Sequence, residues 1–213
     1  MIDYAINVFL IIILFALFGF IHSFLASNKA KQILIEKYGN LIAFYRLFYV
    51  LSSLLLFYLV YQSFPKPRLI IYDLPKPFDL IILVPQFLSL AGIIWTLKYF
   101  SIKEFLGIDQ LFRWFNKEYN ITEVDERLTL RIEGPYKFCR HPLYLFSILF
   151  LCLRPEIDLF YLTALICIIA YFYIGSIFEE KKLVDRFGNI YIDYQKSIPR
   201  IFPVKFKRYI SNS

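Results

Sequence analysis

Five apolar runs, separated by charged or proline-containing breaks, organise this chain. Residues 5–26 form the first and stop at Ser27-Asn28-Lys29. Residues 41–63 form the second and stop at Pro65-Lys66-Pro67. The third, 78–100, contains Pro85, which removes an amide and crowds the carbonyl four residues back, so a kink is predicted one turn from the start. These three runs and a later one, 159–178, reach the ~20 apolar residues a helix needs to cross hydrocarbon. The remaining run, 143–153, is only eleven residues. At 1.5 Å per residue it gives ~16 Å of helix, against about 30 Å of hydrocarbon. It is predicted to be the short arm of a hairpin with 159–178, closed at Arg154-Pro155-Glu156, either starting deep in the interface or lying where the membrane is thinned.

The pattern predicts an all-α integral membrane protein of about five transmembrane helices, the last two a hairpin with a short fourth helix. Between the third and fourth runs, Phe105, Leu111, Phe112, Trp114 and Phe115 alternate with charges. That reads as an interfacial amphipathic helix, followed by a polar turn over 118–127. A further interfacial helix is expected in the tail. No internal repeat or heptad is present. The chain reads as a single membrane domain, 1–213: a three-span part (1–100), an interfacial segment (101–142), and a hairpin with its tail (143–203).

Composition supports this class. Of the 213 residues 59% are hydrophobic, against about 45–50% in soluble domains. The apolar N-terminus lacks a basic leader and a small-residue cleavage pattern, so it reads as a retained span. Cys139, Cys152 and Cys167 form no CxxC pair, which argues against a disulfide framework or zinc site.

Alternating spans place nineteen Lys and Arg on one face and four on the other, with Arg46 inside the second span. Cytoplasmic loops collect positive charge, so the N-terminus is expected outside and the basic face in the cytoplasm, in a bacterial-type inner membrane. The net charge of +7 is thereby explained without nucleic acid.

Polar chemistry gathers at the basic ends of the hairpin. Arg140-His141-Pro142 reads as a helix entry, with proline at the first helical position. Residues before a proline favour extended backbone, so 136–141 is expected to approach the membrane extended, its backbone free to meet a ligand. Glu179-Glu180 ends the fifth run, an arrangement that opposes the helix dipole. Adjacent helical residues point about 100° apart, so only one acid faces the hairpin. Phe187-Gly188 reads as a helix end, followed by a short helix with Tyr191 and Tyr194 on one face, as membrane-edge anchors or as site residues. His22 is ionisable within a span, hence a candidate for substrate contact alongside Tyr191 and Tyr194, although helix packing explains it equally well. No phosphate loop and no GxGxxG occur, and two histidines make a histidine-rich metal site improbable.

From Gly134 to Pro203 the motifs Gly-x-Tyr, Arg-His-Pro-Leu-Tyr, Glu-Glu, Phe-Gly-x-x-Tyr-x-x-Tyr and Ile-Pro-Arg follow in order. This succession resembles the isoprenylcysteine carboxyl methyltransferase superfamily, membrane enzymes that use S-adenosylmethionine. His22-Ser23, Leu25-Ala26-Ser27, Leu106-Gly107-Ile108-Asp109-Gln110 and Arg154-Pro155-Glu156 look more like its branch containing methanethiol S-methyltransferase and denitrification-associated relatives. The resemblance implies an S-adenosyl-L-methionine cofactor held by Tyr136, His141, Tyr144 and Glu180, with Arg140, Pro142 and Glu179 shaping the pocket. It implies methyl transfer to a small thiol or lipophilic acceptor, with His141 or Glu179 as base. Where prenylcysteine enzymes carry an arginine shortly before the acidic pair, this chain has Tyr173-Ile174-Gly175-Ser176, which argues against a carboxylated prenylcysteine acceptor. The alternatives are a phospholipid or prenylcysteine methyltransferase, a sterol-reductase-like enzyme using NADPH, and a non-catalytic membrane protein of the same fold.

Overall fold

The computed structural model describes residues 2–121, 124 and 129–203. In chain order the helices are α1 (Ile2–Ala26), α2 (Asn28–Tyr38), α3 (Tyr45–Ser63), α4 (Phe78–Ile81), α5 (Leu83–Leu97), α6 (Ile102–Leu106), α7 (Ile108–Phe115), α8 (Pro142–Cys152), α9 (Leu159–Phe187) and α10 (Asn189–Ser197). Two short strands, β1 (Ile70–Asp73) and β2 (Glu156–Asp158), complete the regular structure together with 3-10 turns at Gly39–Phe44 and Gly134–Lys137. Four helical stretches are long and apolar enough to cross a membrane, and α8 is the shorter apolar helix. The architecture is that of an all-α membrane protein. The polar turn expected over 118–127 lies partly outside the described residues, as do Arg127, Lys205, Lys207 and Arg208 of the basic face.

Contacts divide the chain into two compact units, Met1–Lys66 with Ser101–Arg127, and Pro67–Phe100 with Leu128–Ser213. In the first, Ser27 interrupts the helix and caps α2, its hydroxyl accepting from the Ala30 amide at 3.3 Å. The Tyr45 hydroxyl donates to the Leu25 carbonyl, and Arg46 Nε donates to the Phe105 carbonyl at 2.8 Å, fastening α3 to α1 and to α6. Gly107, at φ +85°, turns α6 into α7 directly against the α3 backbone, where a Cβ would lie 2.6 Å from the Leu47 nitrogen. Glu104 and Gln110 are buried there while Phe105, Phe112 and Phe115 are exposed, the reverse of a soluble amphipathic helix.

The second unit holds the hairpin. A one-residue interruption at Ile82, three residues before Pro85, separates α4 from α5. Helices α5 and α8 pack closely because Gly92 leaves room for the Phe146 ring, which a Cβ there would meet at 2.4 Å. Cys139, Leu145, Ile148 and Ile201 form the buried core, flanked by Leu149, Cys152, Ile169 and Phe172. The hairpin turn is more than a bare loop. Strand β2 pairs antiparallel with β1, with Ile70 opposite Asp158 and Asp73 opposite Glu156. Strands of three and four residues are too short for alternation to announce them. Finally, α9 runs 29 residues, about 43 Å at 1.5 Å per residue, so its polar end extends past the apolar run that stops at Phe178.

Candidate active site

The site assembles where α8 begins, α9 leaves its apolar run, and the chain after α10 returns. Pro142 opens α8 at the position where its missing amide costs nothing. The two residues before it are not free backbone. The Arg140 and His141 amides donate to the Pro199 and Arg200 carbonyls, both at 2.9 Å. This corrects the expectation of an extended, ligand-accessible 136–141: residues Gly134–Lys137 form a 3-10 turn, and the extended part is already paired.

Glu180 is the buried member of the acidic pair, 2% exposed. Arg140 grips it with Nε on Oε1 at 2.7 Å and Nη2 on Oε2 at 3.1 Å. His141 Nε2 lies 3.2 Å from Oε1. Gln195 Nε2 donates to Oε2 at 3.0 Å, and Arg200 adds Nε at 3.2 Å and Nη2 at 3.0 Å. The third nitrogen of Arg140, Nη1, donates to the Gln195 carbonyl at 2.9 Å and to that of Ile198. A buried carboxylate is tolerated only when paired and hydrogen-bonded, and both oxygens here are. Burial alone would raise its pKa, but the hydrogen bonds from His141, Arg140 and Arg200 and the charge of Arg140 outweigh it and hold the carboxyl at about 2.

Glu179 is half-exposed and differently employed. It accepts from the Tyr144 hydroxyl at 3.1 Å, and its Oε2 lies 3.5 Å from His141 Nδ1. His141 therefore sits between two carboxylates. Burial pushes its pKa down, yet the bonds and charges of Glu179 and Glu180 prevail and raise it above 6.5. The His141, Tyr144 and Phe172 rings stack in parallel, with centroids 5.2 and 4.7 Å apart. The accessible side of the site is thus an aromatic face ending in a carboxylate, which attracts cations. Behind it lies a fixed ionic cluster.

Comparison with known proteins meets this geometry. A protein from Pseudomonas sp. (strain GM41(2012)), named methanethiol S-methyltransferase, is 28% identical over 157 residues, 73% of this chain and 58% of its own length. Methanethiol S-methyltransferase 1 of Bradyrhizobium diazoefficiens is 30% identical over 201 residues, 90% of this chain and 65% of its own length. A namesake from Crocosphaera subtropica is 27% identical over 158 residues, 73% of this chain and 59% of its own length. The chain is similar to the methanethiol S-methyltransferases. It spans about three-fifths of the length of these curated relatives. No family model and no solved structure matches. The resemblance carried by the C-terminal motifs, including the leaning towards the methanethiol S-methyltransferase branch, agrees with these names.

The structure brings Arg140, His141, Pro142, Tyr144, Glu179 and Glu180 together. Tyr136 sits alongside, its carbonyl accepting from the Tyr194 hydroxyl at 2.6 Å. Burial raises its own phenol, and Arg131 beside it moderates the shift. Tyr191 and Tyr194 are not exposed membrane anchors: both are buried with Ile198 against Leu130, Ile132, Leu183, Val184 and Phe187. His22 belongs to the first unit, where Nδ1 lies 2.9 Å from the Ser53 hydroxyl and Nε2 2.7 Å from that of Tyr49. The dipole argument about the acidic pair also needs correction, because α9 continues to Phe187 and is capped by Gly188 at φ +56°. Arg200 and Gln195 were not singled out as site residues. Arg200 stood in a recognised motif, whereas nothing in the sequence marks Gln195. Cys139 is buried with its thiol pushed up to about 12, so it is no thiolate nucleophile at neutral pH.

Proposed function

We propose that this chain is an S-adenosylmethionine-dependent membrane methyltransferase whose acceptor is a small thiol or another lipophilic molecule. The observation that carries this reading is the aromatic stack of His141, Tyr144 and Phe172 ending at half-exposed Glu179. The names of the relatives support it. The donor set fits the cofactor: a sulfonium cation suits aromatic faces beside a carboxylate. When bound, the cofactor supplies an electrophilic methyl group, which passes to the acceptor sulfur in one in-line displacement.

The chain's residues supply position and charge. Tyr144 and Phe172 offer the apolar face. Glu179, at the end of that face, would offset the sulfonium charge of a bound cofactor and would be the group to take the acceptor's proton. His141 is less suited to be the base, because two carboxylates favour its protonated form. Glu180 acts indirectly, holding Arg140 and His141 in place. Most of the rate enhancement then comes from alignment. The charge distribution supports a cytoplasmic site in a bacterial-type inner membrane with the N-terminus outside, so a water-soluble cofactor and a bilayer-soluble acceptor reach the site from different sides.

Calorimetry on the detergent-purified chain tests the reading. S-adenosylmethionine or its demethylated product binds and NADPH does not. Binding of neither sulfur compound refutes it, and NADPH binding favours a reductase.

A further inference from the structure

Glu180 has more cations around it than its charge requires. Its Oε2 alone receives four donors: Arg140 Nη2, Gln195 Nε2, and both Nε and Nη2 of Arg200. A carboxylate oxygen offers about two lone-pair directions. Arg140 by itself matches the charge, bonding to both oxygens, and its remaining nitrogen goes to the Gln195 and Ile198 carbonyls. Glu179 is matched to His141. Arg200 is therefore the surplus cation of the cluster.

Arg200 is also a half-used donor. Its Nε and Nη2 converge on one oxygen of Glu180, and Nη1 has no hydrogen-bond partner among the described residues. A guanidinium fork has a second edge, Nη1 with the outer hydrogen of Nη2, which matches a carboxylate two-pronged. The side chain is 29% exposed, against 8% for Arg140, so this edge can be reached from outside the cluster. The guanidinium lies over the Tyr173 ring, 5.5 Å from its centroid. Tyr173 is five residues before Phe178, where the apolar run ends. A charge held at the edge of an apolar run without its own counter-ion is costly. Nor can the chain swing away to water, because the Pro199 and Arg200 carbonyls are clasped by the Arg140 and His141 amides.

We propose that Arg200 is a cofactor-binding residue whose open guanidinium edge takes the carboxylate at the amino-acid end of S-adenosylmethionine. The inference rests on the methyltransferase reading. Of the groups that reading brings to the site, this carboxylate is the anion. The cofactor's ammonium and sulfonium are cations and suit the Glu179 end instead. The site is then bipolar, with a cation for one end of the zwitterion and an aromatic face with a carboxylate for the other.

The test is calorimetry on the full chain in detergent. It compares S-adenosylmethionine with its decarboxylated form, which keeps the adenosine, the sulfonium and the ammonium. The wild type is expected to bind the intact cofactor at least about tenfold more tightly, the scale of a charge-assisted hydrogen bond. Arg200→Gln brings the two ligands within about twofold of each other by weakening the intact cofactor alone. Arg200→Lys keeps the charge but loses the fork, and its ratio falls between. The wild-type ratio and the lysine variant decide the matter if glutamine unfolds the cluster. A role confined to holding Glu180 would weaken both ligands together and leave their ratio unchanged, and that result overturns the inference. A wild type that binds both forms equally also overturns it, while leaving the methyltransferase reading intact. An Arg200→Gln protein with an unchanged cofactor ratio but a raised KM for 3-mercaptopropionate, and not for methanethiol, overturns it by giving the cation to an acceptor carboxylate. A wild type that binds neither form refutes the underlying reading, and the inference with it.

Discussion

Replacing Glu180 with glutamine removes one negative charge from a cluster that contains two guanidinium groups, and almost no volume. Arg140 is nearly as buried as Glu180, with side chains 8% and 3% exposed, whereas Arg200 is 29% exposed and better able to turn to water. Two routes give the cost. Removing one partner of a buried ion pair typically costs about 3–5 kcal/mol. The depression of the carboxyl from 4.5 to about 2 corresponds to roughly 3 kcal/mol at about 1.4 kcal/mol per pH unit. For a chain of this length each kcal/mol moves the melting temperature by about 2–4 °C, so Glu180→Gln is expected to melt ~6–20 °C below the wild type. The assay is thermal unfolding in detergent at pH 7, with Glu179→Gln beside it. The half-exposed Glu179 should shift the melt by no more than about 4 °C, since exposed ion pairs contribute about 0–1 kcal/mol, while weakening cofactor binding. A Glu180→Gln protein that melts like the wild type but no longer binds cofactor would refute the reasoning and make Glu180 a direct ligand.

Stability should depend on pH through the same cluster. The contribution of Glu180, whose folded pKa is depressed, is complete above pH 4.5 and is lost as the pH falls towards about 2. The contribution of His141, whose folded pKa is raised, is complete below pH 6.5 and fades as the pH rises above that value, so His141→Gln should flatten the alkaline side of a melting-temperature profile. Gly92→Ala should cost about 1–3 kcal/mol by forcing Phe146 away from α5; a melt unchanged from wild type would show that the ring moves freely. Tyr194→Phe leaves the Tyr136 carbonyl without its hydroxyl partner, a loss of about 1–3 kcal/mol if that acceptor stays unpaired, measurable by the same melts.

Spans were legible because a bilayer demands long apolar runs, and the short helix was legible because Pro142 and Arg154-Pro155 bracket it. Gly188 announced the end of α9, but the acidic pair did not mark an end: residues 179–187 are rich in charge, yet all can stay helical once the helix leaves hydrocarbon, with Leu183, Val184 and Phe187 packing under α10. The strand pairing and the partners of Glu180 were opaque for a different reason. They join residues 15 to 88 positions apart, and no local periodicity encodes which distant guanidinium a carboxylate will meet. Sequence motifs brought Arg140, His141, Tyr144 and the two acids forward as a group. They pointed to Glu180 as the inward acid but did not reveal that Arg200 and Gln195 would be its partners.

The backbone clasp between residues 140–141 and 199–200 also sets an order of events during synthesis. Arg140 is made 40 residues before Glu180, so this pair can meet as soon as α8 and α9 are side by side. Gln195 and Arg200 arrive later, at about 5–20 residues per second one to four seconds after Glu180. Until then the carboxylate has only Arg140 and His141, and the amides that will hold the entry to α8 are unpaired. A chain truncated between Glu180 and Arg200 would keep the four long apolar helical stretches described above nearly whole and lack the finished site.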